Sequence, residues 1–126
     1  MKFTGISIIT DDVARLAKFY AEVLQTKAED NDIHSVVETD GAGLVIYSKK
    51  AAEHDMGFDF SRYWGSGNIT LQFMVDDVDA EYERIKDMDV EFVALPTTHP
   101  WGSRAMQFRD LDGNIVTFAC RCIKNE

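Results

Sequence analysis

The chain has 126 residues, with 13 Lys and Arg against 22 Asp and Glu, a net charge of −9 with neutral histidines. That length supports one hydrophobic core, and an apolar content of 45% excludes a disordered tail. No apolar run approaches the roughly 20 residues of a membrane span, and so acidic a balance excludes a general binder of nucleic-acid backbones. Met1-Lys-Phe-Thr-Gly opens no apolar leader, so the cytoplasm is the expected compartment, with neither nucleic acid nor membrane as partner. The charge would draw cationic ligands and repel anionic ones, or serve only solubility.

The first element is an alternating strand, Ile6-Ser-Ile-Ile-Thr, that ends at Asp11-Asp12-Val13 and continues as a helix. Either carboxylate can accept the free N–H groups of the helix start, and Val13, Leu16, Ala17, Tyr20 and Leu24 fall on one face. A short strand is expected around residues 27–30, then strands at 34–39 and 44–48 about the Asp40-Gly-Ala-Gly turn. Residues 49–67 break the pattern and read as a loop carrying Phe58, Phe60, Tyr63 and Trp64 among glycines. Such a loop is either a lid over a pocket or a flap packed on a neighbouring surface.

The opening pattern then returns. Leu71-Gln-Phe-Met-Val runs into Asp76-Asp77-Val78 and a helix with Val78, Tyr82, Ile85 and Met88 on one face. The two Asp-Asp-Val triplets stand 76 − 11 = 65 residues apart, about half the chain. Strands follow at 91–95, 104–109 and 115–120, the last two joined by the Asp112-Gly-Asn turn. The element order is βαβββ, twice. One domain, 1–126, is expected, of two repeats at about 1–48 and 68–126 joined by the aromatic loop.

Residues with intrinsic chemistry are sparse. Cys120 and Cys122 point the same way on a strand, which suits buried or edge thiols better than a disulfide framework. No second Cys or His pair stands at zinc-site spacing. His34, His54 and His99 have no short ligand spacing and read as loop or surface residues, with His99 drawn to attention by the neighbouring Trp101. No Ser or Cys lies in an activating motif, and Gly41-Ala-Gly43 and Gly65-Ser-Gly67 are too short to cradle phosphate.

Two βαβββ units of this size, together with Trp101-Gly-Ser-Arg104-Ala-Met-Gln-Phe108-Arg-Asp110-Leu-Asp112-Gly113-Asn114, resemble the vicinal oxygen chelate superfamily. That superfamily includes glyoxalases, extradiol dioxygenases and bleomycin-resistance proteins. Leu111 stands where the superfamily's Asp-Pro-Asp-Gly-Asn stretch usually has proline. The resemblance covers essentially the whole chain. It implies an α+β fold whose two modules form a U-shaped mixed sheet with a central cavity and the helices outside.

The resemblance also implies where a metal would be held: by two side chains from the opening strands and two from the last strands, generally His, Gln or Glu. Carried over, these positions are Gly5, Thr70, Thr117 and either Val45 or Ile46. None is a good ligand for a divalent ion, so no metal, other cofactor or catalytic residue is expected. Alternation turns Gly5, Ser7, Ile9, Thr70, Gln72 and Met74 toward the cavity and Ile6, Ile8, Leu71, Phe73 and Val75 toward the helices.

The expected function is therefore metal-free binding of a small aromatic or cationic drug or metabolite, as in the bleomycin-resistance branch linked to antibiotic resistance. The alternative is a metal-dependent lyase, isomerase or dioxygenase with displaced ligands. An accessory module whose pocket has been lost is a third possibility. The residues expected to meet the ligand are Ser7, Thr70, Gln72 and Thr117 on strands, and Phe60, Tyr63, Trp64, His99 and Trp101 on loops. Self-association into a homodimer is expected from the family resemblance.

Overall fold

The computed structural model describes residues 1–61, 64–65 and 69–121. The fold is α+β and divides into two compact units, residues 1–64 and 65–126. Unit 1 opens with β1 (Gly5–Thr10) and α1 (Val13–Val23), followed by β2 (His34–Val37), β3 (Gly43–Ser48) and α2 (Lys49–Met56). Unit 2 contains β4 (Thr70–Met74), α3 (Val78–Ile85), β5 (Glu91–Thr98), β6 (Ser103–Arg109) and β7 (Ile115–Arg121). Among the described residues no helix is long and apolar enough to cross a membrane.

Both Asp-Asp-Val joins are helix caps. Asp12 accepts the Arg15 N–H at 3.1 Å, and Asp77 accepts the Ala80 N–H at 3.0 Å. In each triplet it is the second carboxylate that caps: that residue keeps extended backbone and its side chain reaches the third helical N–H. α1 buries Val13, Leu16, Ala17, Phe19, Tyr20 and Val23. The expected Leu24 is instead the half-buried C-cap, and Val23 takes the core position. α3 buries Val78 and Ile85 with Tyr82 half-buried; it stops at Ile85, so the expected Met88 lies beyond the helix and is exposed.

The sheets are mixed, in the order β1-β3-β2 in unit 1 and β4-β7-β6-β5 in unit 2. β1 runs parallel to β3, and β4 runs parallel to β7. The strand expected near residues 27–30 is reduced to a bridge between Ala28 and Val37. Lys27-Ala-Glu-Asp30 lacks the β-branched and aromatic residues that hold a longer strand. Unit 2 keeps all four strands, over a run of edge-to-face rings. Tyr82, Phe92, Phe108, Phe118 and Phe73 follow one another with centroids 5.1 to 6.3 Å apart.

The segment read as an aromatic loop begins with a helix. Ser48 caps α2 through the Ala51 N–H at 3.1 Å, and Gly57, at φ +68°, ends it. Ala52 is the one buried residue of α2, so the segment shows no apolar stripe by which a helix would be recognised.

The family motif near the end of the chain is a hydrogen-bonded turn. Buried Asp110 accepts the N–H groups of Asp112 and Asn114 and the Asn114 side-chain amide, each at 2.9 Å. Gly113, at φ +93°, lets the chain reverse there. The motif thus fixes the β6–β7 connection, and Leu111 in the proline position does not prevent the turn.

Candidate functional site

In each unit one face of the sheet packs on its helix and the other turns away from it. On β4 Leu71 is buried and Phe73 half-buried toward α3, while Thr70, Gln72 and Met74 are exposed. On β1 Ile8 is buried and Ser7 exposed, with Gly5, Ile6 and Ile9 half-buried. The alternation expected from the sequence is therefore present, and the sheet faces turned from the helices are the candidate sites.

Strand register orders those faces in rows. In unit 2, Gln72 lies opposite Thr117, and Thr117 opposite Gln107. In unit 1, Ser7 lies opposite Val45, and Val45 opposite Val36. Ser7 and Gln72 are related by the repeat, 72 − 7 = 65, so the counterpart of Thr117 is Val45. Ile46 is fully buried on the helix side. Gln107 was not reached from the sequence; its only signal is its place between Met106 and Phe108, both buried against α3.

The expected ligand-contacting residues fall into separate groups. Thr70, Gln72 and Thr117 share one sheet face, and the Thr70 and Thr117 hydroxyls hydrogen-bond to each other at 2.7 Å. His99 and Trp101 sit in the β5–β6 turn, closed by His99 N–H to the Ser103 carbonyl at 2.8 Å. Their rings stack at 4.6 Å and 4°, and Trp101 is 76% exposed. That turn adjoins the Ser103–Arg121 end of the sheet, whereas Thr70 lies at the Ile115 end, roughly 20 Å away along the strand.

In unit 1, Phe58 packs edge-on against Phe60 and Phe60 against Trp64, with centroids 5.9 and 4.9 Å apart. The Lys49 ammonium stands 5.8 Å from the Phe60 ring and 5.1 Å from the Trp64 ring. Asp59 accepts the Ser61 N–H at 2.9 Å, and the bonds from Ser61 hold its carboxyl below the usual carboxylate range. Tyr63 and Cys122 lie outside the described residues. Cys120 is a free, half-buried thiol.

The glyoxalase/bleomycin resistance protein/dioxygenase superfamily model matches residues 2–118. The chain belongs to that superfamily. A glyoxalase/bleomycin resistance protein/dioxygenase from Nocardioides superposes with a TM-score of 0.82 at 17% identity, covering 100% of this chain and 87% of that one. A protein of unknown function from Agrobacterium tumefaciens superposes at 0.78 with 27% identity over 95% and 94% of the two chains. The uncharacterized protein YraH of Bacillus subtilis is 24% identical over 122 residues, 92% of this chain and 95% of YraH.

This glyoxalase-superfamily chain does not fit the metal that its superfamily implies. Gly5 has φ +151°, and a Cβ there would stand 2.6 Å from the Gly43 nitrogen and 2.7 Å from its carbonyl carbon. The first position that the resemblance assigns to a ligand is thus closed by backbone, so no side chain can occupy it without moving β3. Val45 offers only hydrocarbon. Thr70 and Thr117 offer neutral hydroxyls already bonded to each other, a poor donor set for a divalent ion. Among the described residues, no three His, Cys, Asp or Glu side chains gather where they could hold a metal.

Proposed function

We propose that the protein binds a small aromatic ligand, uncharged or cationic, and needs no metal to do so. The observation that carries this reading is the closure of position 5 by Gly43, together with the Thr70–Thr117 hydrogen bond at two further ligand positions. Binding in place of chemistry fits the row Gln72–Thr117–Gln107, whose two amides can hydrogen-bond a ligand while buried Thr117 stays bonded to Thr70.

Charge and rings support the choice of ligand. A net charge of −9 disfavours anions. The broad exposed face of Trp101 is open to stacking, and Lys49 over Phe60 and Trp64 is an intramolecular instance of cation–ring attraction. Such contacts contribute on the order of 0.5–2 kcal/mol each. The proposed setting is a cytoplasmic homodimer. β5 is blunted for edge pairing by Pro96 and two register shifts, whereas β1 and β4 carry no charge and no proline on their open edges.

The test is a tryptophan-fluorescence titration with a flat aromatic cation, with and without chelator. Saturable quenching unaffected by chelator is expected. Trp101→Ala should weaken binding by more than about 1 kcal/mol with the fold retained. Binding that disappears with chelator would overturn the reading in favour of a metal-dependent lyase, isomerase or dioxygenase.

A further inference from the structure

The rings that follow α2 already hold a cation, and that cation belongs to the chain itself. Phe60 and Trp64 meet with centroids 4.9 Å apart and planes inclined at 69°, and Phe58 packs edge-on against Phe60. The group is tied back to α2 by the Phe58 N–H, which donates to the Ala52 carbonyl at 3.2 Å. The Lys49 ammonium stands over both the Phe60 and the Trp64 ring. Phe58 and Trp64 stay exposed, so the cluster is open to solvent.

Lys49 is an awkward residue for its place. It opens α2 directly after the Ser48 cap, where the helix dipole disfavours positive charge. Its side chain carries the charge one turn along, to 3.6 Å from Oε2 of Glu53. The molecule contains a control for what the rings add. Lys18 and Glu22 on α1 form a pair of the same spacing at 3.9 Å without such rings, and the Lys18 side chain is 78% exposed. Lys49 is 27% exposed. The ion pair alone leaves a lysine in water; the aromatic cluster is what covers this one.

We infer that Phe60, Trp64 and Glu53 form a site for a methylated ammonium group, occupied in the free protein by the Lys49 ammonium. Two ring faces and a carboxylate are the parts that recognise such a group. The competitor sets the ligand class. Lys49 is a primary ammonium tethered beside the rings, so a primary amine from solution exchanges like for like and loses to the tether. A trimethylammonium group has no N–H to keep in water and is less strongly hydrated than a lysine, so it gives up less on meeting the rings. Displaced, Lys49 returns to water on its flexible stem, as Lys18 does on α1. The inference deepens the proposed metal-independent binding and rests on it, naming the charged group of a cationic ligand.

Three probes on one skeleton separate the alternatives. They are choline, the primary ammonium ethanolamine, and dimethylbutanol, the neutral alcohol with a tert-butyl group in place of trimethylammonium. Binding to the full chain is followed by NMR, with chelator present, through the two indoles and the Lys49 ε-protons, which lie in the ring currents. Choline should shift the Trp64 indole and bring the ε-protons to the position of an exposed lysine. It should bind at least about fivefold more tightly than either other probe. Lys49→Met keeps the stem and removes the competing charge, so choline should bind about threefold or more tighter, a gain that misfolding does not mimic. Glu53→Gln, made in the Lys49→Met protein, should weaken choline again. Trp64→Leu should bring choline down to the level of the neutral alcohol, with the amide spectrum otherwise retained.

The site is overturned if Lys49→Met binds choline no more tightly than the parent chain, if ethanolamine or the neutral alcohol matches choline, or if choline binds neither protein. Choline that shifts only the Trp101 indole rejects this site and leaves the proposed function standing. Choline binding that needs added metal rejects both.

Discussion

The two units share an opening and differ in what they build on it. Each starts with a strand, an aspartate cap and a helix, at the same spacing and with nearly the same capping distance. On the sheet face turned from the helix they part. Unit 1 presents Ser7–Val45–Val36 and Ile9–Tyr47–His34, an apolar surface with a phenol and an imidazole at its rim. Unit 2 presents Gln72–Thr117–Gln107, an amide–hydroxyl–amide row. The cap and the helix-facing core are what the fold needs, so they recur; the opposite face differs, and there the positions that the resemblance assigns to metal ligands hold glycine, valine and threonine.

The largest expected effect tests the closed position against its counterpart. Gly5→Ala should cost about 3 kcal/mol or more in urea unfolding, because its Cβ meets the Gly43 backbone and φ is unsuited to a side chain. Thr70→Ala, at the equivalent site of unit 2, should cost no more than about 1 kcal/mol, the worth of its bond to Thr117. Equal costs at the two positions would erase the asymmetry between the units.

The caps should behave alike. Asp12→Ala and Asp77→Ala are each expected to lose about 1 kcal/mol, measured the same way. A much larger loss at one of them would show that the repeat is a resemblance of sequence and not of mechanics.

The smallest effect belongs to unit 2 alone. Arg104 donates from Nε and Nη2 to the two oxygens of Asp79, both at 2.8 Å, and position 14 of unit 1 has only Ala14 in the place of Asp79. Hydrogen bonding to Arg104, then its charge, holds the Asp79 carboxyl below its usual value. A lowered folded pKa stabilises the protein above the unfolded value of about 3.9 and loses that contribution as pH falls through the folded value. Asp79→Asn should therefore narrow the stability difference between neutral and acid pH, by a modest amount because the pair is partly exposed.

Much of this was legible because local rules agree with the global fold. Asp-Asp-Val announces a cap, alternation on β4 sorts Leu71 and Phe73 from Thr70 and Gln72, and Asp112-Gly113-Asn114 announces a turn. α2 was not legible, since Ala52 alone is buried in it and the following rings dominate the composition. Gln107 and the His34–Tyr47 pair were hidden for a different reason. Neither lies in a motif, and each gains its neighbours only through strand register, which joins positions 13 residues apart for His34 and Tyr47 and 10 apart for Gln107 and Thr117. Register likewise puts Val45 on the face turned from the helix and Ile46 on the buried face.

The central claim is that a glyoxalase-superfamily fold here presents its ligand positions without the means to hold the metal. Elemental analysis of the untagged protein tests it most directly, as purified and after incubation with Mn, Fe, Co, Ni and Zn followed by desalting. The account predicts less than about a tenth of an equivalent of every metal. One tightly held equivalent would contradict it.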